Sequence, residues 1–217
     1  APPAPAEATP ESGAAYDAAA RVAGLVSPTR AVRSAKTFAL SDGAPVASAA
    51  SGLGQAWGSA VHHVLEHLSS GSSESVRNAA ADAVTAYDLE AAIGEPRETL
   101  IDELVAVAEG VAGSALWTRA QAATQCLVET PYVRCVEGET LATLERGVID
   151  LAFEEPDGWV LVDYKTDAAA KDNPADLLEH YRPQLAIYAE AWTQLTELPV
   201  KETGLYFVAT GEYHACE

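Results

Sequence analysis

The sequence contains no methionine in 217 residues, so it reads as a fragment or a processed chain rather than a primary product that keeps its initiator. Cysteine is scarce. Cys126, Cys135 and Cys216 form no C-x-x-C pair and leave one thiol over if two join, which argues against a disulfide scaffold and for a reducing, cytoplasmic setting. No apolar run approaches the roughly 18 to 20 residues that a spanning helix needs, and no charged segment leads into a hydrophobic one at the start, which argues against a membrane protein. Positive charge is the remaining shortage: 13 Lys and Arg face 32 Asp and Glu, for a net charge of -19. Affinity for polyanions comes largely from cations that displace condensed counterions. Any nucleic-acid role must therefore account for the acidity.

At 48% hydrophobic and 21% charged residues, the chain suits one globular domain with an appendage. Residues 1 to about 20 are rich in Ala and Pro and poor in large apolar side chains, a composition that reads as linker. Ser27-Pro28-Thr29 looks like a helix start, a capping hydroxyl followed by proline in the first turn. The whole excess of negative charge lies in residues 51–217, nine basic against twenty-eight acidic. The expected division is a linker and helical segment over 1–50 and the main domain over 51–217.

Within the main domain, Val61, Val64, Leu65 and Leu68 recur at helical spacing and predict an amphipathic helix over 55–68. Residues 75–92 and 97–117, broken by Gly94, Pro96 and Gly113, predict two more helices. The period then shortens. Cys126 to Val133, Leu144 to Phe153 and Trp159 to Tyr164 read as strands, the last two joined by the Pro156-Asp157-Gly158 turn. Asp176 to Leu195 returns to helix, and Gly204 to Ala209 reads as a fourth strand. This order predicts an α/β or α+β domain with a mixed sheet flanked by helices.

The chemistry concentrates on the predicted hairpin. Side chains at i and i+2 of a strand share a face, so Asp163 and Lys165 project together while Tyr164 points away. Asp150, on the partner strand, can come opposite Asp163. Two carboxylates converging beside a lysine repel unless a cation sits between them, and oxygen donors of this kind suit Mg²⁺ or Mn²⁺. A surface hairpin with solvated charges is the plainer alternative. Against it stand the rarity of lysine, four in the chain, and the apolar run Trp159–Val162 leading into the motif. On the first predicted helix Gly58, His62 and Glu66 fall four apart on one stripe, from which His62 could reach a metal held by the strands. Gln184 and Tyr188 align an amide and a phenol in the same way.

Taken in order, G-x-x-x-H (Gly58 to His62), E-x-P-Y (Glu129 to Tyr132), G-x-I-D-L (Gly147 to Leu151), D-Y-K-T (Asp163 to Thr166) and Y-x-x-Q-L-x-x-Y (Tyr181 to Tyr188) resemble the RecB/AddA-type nuclease domain of the PD-(D/E)XK superfamily. The resemblance covers about residues 55–210. It implies a restriction-endonuclease-like mixed sheet flanked by helices, with an added helical N-terminal part. The implied activity is a metal-dependent DNA exonuclease acting on single strands unwound by a covalently attached upstream helicase. Implied as well is a role in double-strand-break resection beside a second helicase/nuclease subunit. By the same resemblance His62, Asp150, Asp163 and the backbone carbonyl of Tyr164 bind Mg²⁺ or Mn²⁺. Lys165 positions or activates the attacking water, Gln184 and Tyr188 support the site, and Glu129 matches a further acid of the pattern. Ile149 stands where the superfamily name has proline. The cysteine set of the iron–sulfur members is missing, so no such cluster is expected.

Two other readings compete. His63-Val64-Leu65-Glu66-His67 matches the inverted zinc-peptidase pattern H-x-x-E-H, with Glu139 or Glu145 as third ligand. That reading leaves the D-Y-K hairpin unexplained. An inactive nuclease-like docking module is the other, although inactive relatives usually lose the carboxylates or the lysine and here all are present. His214 and Cys216 are expected in a frayed terminus, and Trp57, Trp117, Trp159 and Trp192 in the core.

Overall fold

The computed structural model describes residues 32–34, 52–70, 73–136 and 143–216. The proposed linker and the Ser27-Pro28-Thr29 helix start lie outside the described residues. The elements run β1 (Val32–Ser34), α1 (Gly52–Glu66) with a 3₁₀ turn His67–Ser70, α2 (Ser73–Ala86), α3 (Leu89–Ile93), α4 (Arg97–Ala112) and α5 (Ala115–Ala122). Then come β2 (Gln125–Val136), β3 (Thr143–Glu155), β4 (Gly158–Lys165), a 3₁₀ turn Ala168–Lys171, α6 (Pro174–Thr196), β5 (Val200–Phe207) and β6 (Glu212–Cys216).

The sheet is mixed. β3 is its shared strand, antiparallel to β2 along nearly its whole length and to β4 over Leu151–Glu155, with β1 parallel beside Leu144–Arg146. β5 lies parallel to β4 and β6 antiparallel to β5. Every residue of β4 is buried, which is why GWVLVDYK reads as a nearly continuous apolar run rather than an alternating one. Val160, Val162 and Tyr164 pack with Leu151 and Phe153 against α1 to α5. Trp159 and Leu161 point the other way, into a cluster with Tyr188 and Trp192 of α6. The result is helices on both faces of a mixed sheet, the predicted class.

The predicted helices and strands are present, with differences at their joints. The 75–92 helix is two, α2 and α3, broken at Asp88 with φ 49°. The 97–117 helix is also two, and Ser114 caps the second by accepting the Trp117 amide at 3.1 Å. β1 and β6 go beyond the predicted strands. His214 and Cys216 sit on β6 paired with Leu205 and Thr203, so the expectation of a frayed terminus does not hold. Trp117, Trp159 and Trp192 are buried as expected, and Trp57 is partly so. All three cysteines are free thiols. Among the described residues no helix is long and apolar enough to cross a membrane.

Candidate active site

The sheet comes apart at Asp150. The last β3–β4 pair toward the site is Leu151 with Val162, so Asp150, Asp163, Tyr164 and Lys165 line a gap where two central strands diverge. Freed of its ladder partner, the Tyr164 amide donates instead to Asp150 Oδ2 at 2.7 Å. The N–H and carbonyl of one strand residue leave the same edge, so the Tyr164 carbonyl faces the gap too. On the other side of β3, Glu129 stands opposite Asp150 between the Val128–Leu151 and Thr130–Ile149 pairs. Its φ of 45° is the left-handed region, which costs a non-glycine residue of order 1–3 kcal/mol and collects at functional sites. The alternation of β3 breaks at the same place, since Ile149 and Ala152 share one cluster beneath α6.

α1 brings His62 to this opening. Its Nδ1 lies 3.0 Å from Glu129 Oε1 and 3.5 Å from Asp150 Oδ1. The approach depends on Gly58 one turn earlier, where a Cβ would sit 3.3 Å from Thr166 Oγ1. His62, Glu129 and Asp150 each offer a donor within 4.8 Å of the others, the one such three-ligand group among the described residues. Burial opposes charge on His62, but Asp150 and Glu129 outweigh it and raise its pKa to about 8. Asp150 moves up to about 7, from burial first and then from Asp163, with His62 and Lys165 opposing. The cluster thus holds protons near neutrality, and a cation is the other way to neutralise it.

Asp163 faces a second set of partners. Its Oδ2 lies 2.6 Å from Lys165 Nζ and its Oδ1 accepts from Gln184 Nε2 at 2.9 Å. Gln184 also donates to the Tyr188 hydroxyl at 2.8 Å. The Tyr188 ring meets Tyr132 edge-on at 6.1 Å. Lys165 lies over the Tyr181 ring at 3.9 Å, a cation–π contact that adds Tyr181 to the site. Burial works against the ammonium but Asp163 prevails, and the Lys165 pKa is raised.

His62, Glu129, Asp150, Tyr164, Lys165 and Tyr188 border one cleft, whereas Asp163 and Gln184 are buried behind it, and Asp163, expected as a metal ligand, lies outside the three-ligand group. They form a His62–Glu129–Asp150 group and, beside it, an Asp163–Lys165–Gln184–Tyr188 group. The donor set fits a hard divalent cation: two carboxylates and one imidazole, with a backbone carbonyl facing the same gap. Sequence reasoning missed the role of Gly147, where a Cβ would fall 2.5 Å from the Tyr132 ring. Gly147 and Tyr132 are cross-strand partners, and the presence of both in adjacent motifs was the available signal.

The peptidase pattern has no such assembly. His67 Nδ1 is 2.9 Å from the His63 carbonyl oxygen. Glu145 is fully buried against Arg134 at 2.6 Å, and Glu139 lies outside the described residues. Neither His63 nor His67 belongs to a three-ligand group among those described.

Comparison with known proteins bears on the family. An ATP-dependent helicase/nuclease subunit from Desulforudis audaxviator (strain MP104C) is 36% identical over 165 residues, 72% of this chain and 13% of that protein. The protein of the same name from Acetivibrio thermocellus is 50% identical over 74 residues, 34% of this chain and 6% of that one. The chain thus spans a small part of the length of these relatives. A solved structure titled "Crystal structure of SSO0001" overlaps 58% of this chain and 57% of its own, at 14% identity and a TM-score of 0.36, too loose a likeness to bear on the assignment. The family model of the PD-(D/E)XK nuclease superfamily matches residues 33–214, and the chain belongs to that superfamily.

Proposed function

We propose that this chain is the metal-dependent deoxyribonuclease domain of a helicase–nuclease, hydrolysing strands of DNA unwound by an attached motor during double-strand-break resection. The observation that carries the reading is the pairing of the His62–Glu129–Asp150 group with the Asp163–Lys165 pair at one break in the sheet. In this reading the domain covers residues 51–217, with β1 contributed by the segment before it.

Asp150 and Asp163, with His62, Glu129 and the Tyr164 carbonyl, would hold Mg²⁺ or Mn²⁺. When bound, the cation neutralises charge developing on the phosphate and makes water more acidic. The remaining work falls to the chain. Lys165, whose ammonium form Asp163 favours, would orient water and offset phosphate charge. Asp163 holds that ammonium in place, and Gln184, fixed by the Tyr188 hydroxyl, holds Asp163. The curated relatives are named as helicase/nuclease subunits, which supports a tethered motor and DNA as substrate. A tether also accounts for the acidity, because it raises the strand's effective concentration at the site without cationic surface on the domain.

The test is cleavage of a single-stranded oligonucleotide by the chain in Mg²⁺ or Mn²⁺. Asp150→Asn and Lys165→Ala are each expected to lose about 10²-fold or more in rate, while Glu66→Ala cuts DNA normally and no variant cuts peptide. Retention of full activity by Asp150→Asn would sink the reading. The isolated chain is further expected to bind DNA weakly, and nanomolar affinity at physiological salt without metal would refute the tether argument.

A further inference from the structure

We infer that the β2–β3 ribbon next to the active site is the track on which single-stranded DNA lies, with Arg146 holding a phosphate and Pro131, Val133 and Val148 forming its apolar floor. The inference rests on the nuclease reading and adds where the strand runs.

The distribution of charge points there first. Nine cations fall within residues 51–217. Seven are matched to carboxylates: Arg77, Arg97, Arg119, Arg134, Lys165, Arg182 and Lys201. Arg146 and Lys171 have no such pairing among the described residues. Arg146 lines the cleft that contains the metal-ligand group. An exposed cation without a counter-charge among the described residues of so acidic a chain is the feature a phosphate would complete.

The apolar neighbours are the second observation. Val133 and Val148 are 59% and 41% exposed. Across the ribbon Val133 pairs with Arg146 and Pro131 with Val148. Alternation places Glu129, Pro131 and Val133 of β2 on one face with Arg146, Val148 and Asp150 of β3, and all six border the same cleft, about 1260 Å³ in volume. On the opposite face of the ribbon Arg134 is buried and bonded to Glu145 and to Glu190 of α6. Arg146 stands four residues from Asp150, about 13 Å along the strand at roughly 3.3 Å per residue. A short run of extended DNA with one phosphate at Asp150 reaches another to Arg146, its sugars and bases resting on the aliphatic floor between. Apolar floor with an isolated cation suits a single strand, whose bases are free to lie down. A duplex keeps its base faces stacked inside and cannot lay them on that floor.

The experiment uses the full chain and a 5′-labelled oligothymidylate. Cleavage in Mn²⁺ is measured across a salt series for wild type, Arg146→Gln, Arg146→Lys, Val148→Asp and Asp150→Asn, and binding is followed by fluorescence anisotropy in Ca²⁺. Arg146→Gln is expected to raise KM about 3- to 10-fold, with the loss on KM rather than kcat, and to lower the salt slope by about one. Arg146→Lys restores the slope, and Val148→Asp weakens binding further. Wild-type KM and salt slope in both Arg146→Gln and Val148→Asp overturn the track. An Asp150→Asn chain that cuts at the wild-type rate overturns the proposed active site, whereas the anisotropy series judges the track even then.

Discussion

Burial by itself drives a lysine toward its neutral form, yet Lys165 sits 2.6 Å from Asp163 and its pKa is raised. This favours a water-orienting role over proton abstraction. His62 is governed by the same competition, with a different outcome for metal uptake. Its pKa of about 8 means that the stabilising proton is fully present below the ordinary value near 6.5 and lost as pH rises through 8. Any cation that takes the cluster must displace that proton and the one drawn to Asp150. Mn²⁺ affinity of the chain is therefore expected to climb from pH 6.5 to 8.5, with proton release visible by calorimetry in buffers of different ionisation heat. A pH-independent affinity would contradict the ligand role of His62. At this scale the sequence was most legible where strand periodicity dictated geometry, as in Asp163 and Lys165 sharing a face. It was least legible for Glu129, whose direction depends on a left-handed torsion that no local pattern announces.

Among the elements, the tightest coupling between packing and chemistry runs through Gly147. Its missing side chain leaves room for the Tyr132 ring, which meets Tyr188, which in turn fixes Gln184 and so Asp163. Gly147→Ala is expected to cost about 1–3 kcal/mol by urea denaturation, as overpacking at a buried ring does. It is also expected to depress cleavage by disturbing Asp163, whereas Gly58→Ala, whose Cβ meets only Thr166 Oγ1 at 3.3 Å, costs less. The helices and central strands were legible because their apolar period or continuity is strong. Their breaks were unevenly so: Gly113 marks the stop just before Ser114 caps α5, whereas Asp88 turns into the left-handed region without a glycine to mark it. β6 is polar enough to read as a tail, and only its pairing with β5 makes it a strand.

For the molecule as a whole, carboxylates outnumber cations so heavily that the few cations act as ties. Arg119 of α5 bonds Glu155 of β3 at 3.1 Å and Glu202 of β5 at 2.9 Å, and Lys201 joins Glu155 at 2.6 Å. The hydrogen bonds from Arg119 and then Lys201 hold the Glu155 pKa down to about 2. A depressed carboxylate contributes stability that is complete above its unfolded pKa, near 4.5, and lost as pH falls toward 2. Thermal melts should thus show Glu155→Gln less stable than wild type at pH 6, with the gap closing by pH 2.5. A constant gap would show that packing rather than charge is responsible. One consequence of the layout concerns β1, which arrives from the segment before residue 50 to lie beside Leu144–Arg146. Trimming the protein to residues 51–217 strips that cover and leaves a raw hydrogen-bonding margin, with half-exposed Leu144 upon it, open to self-association through edge-to-edge pairing.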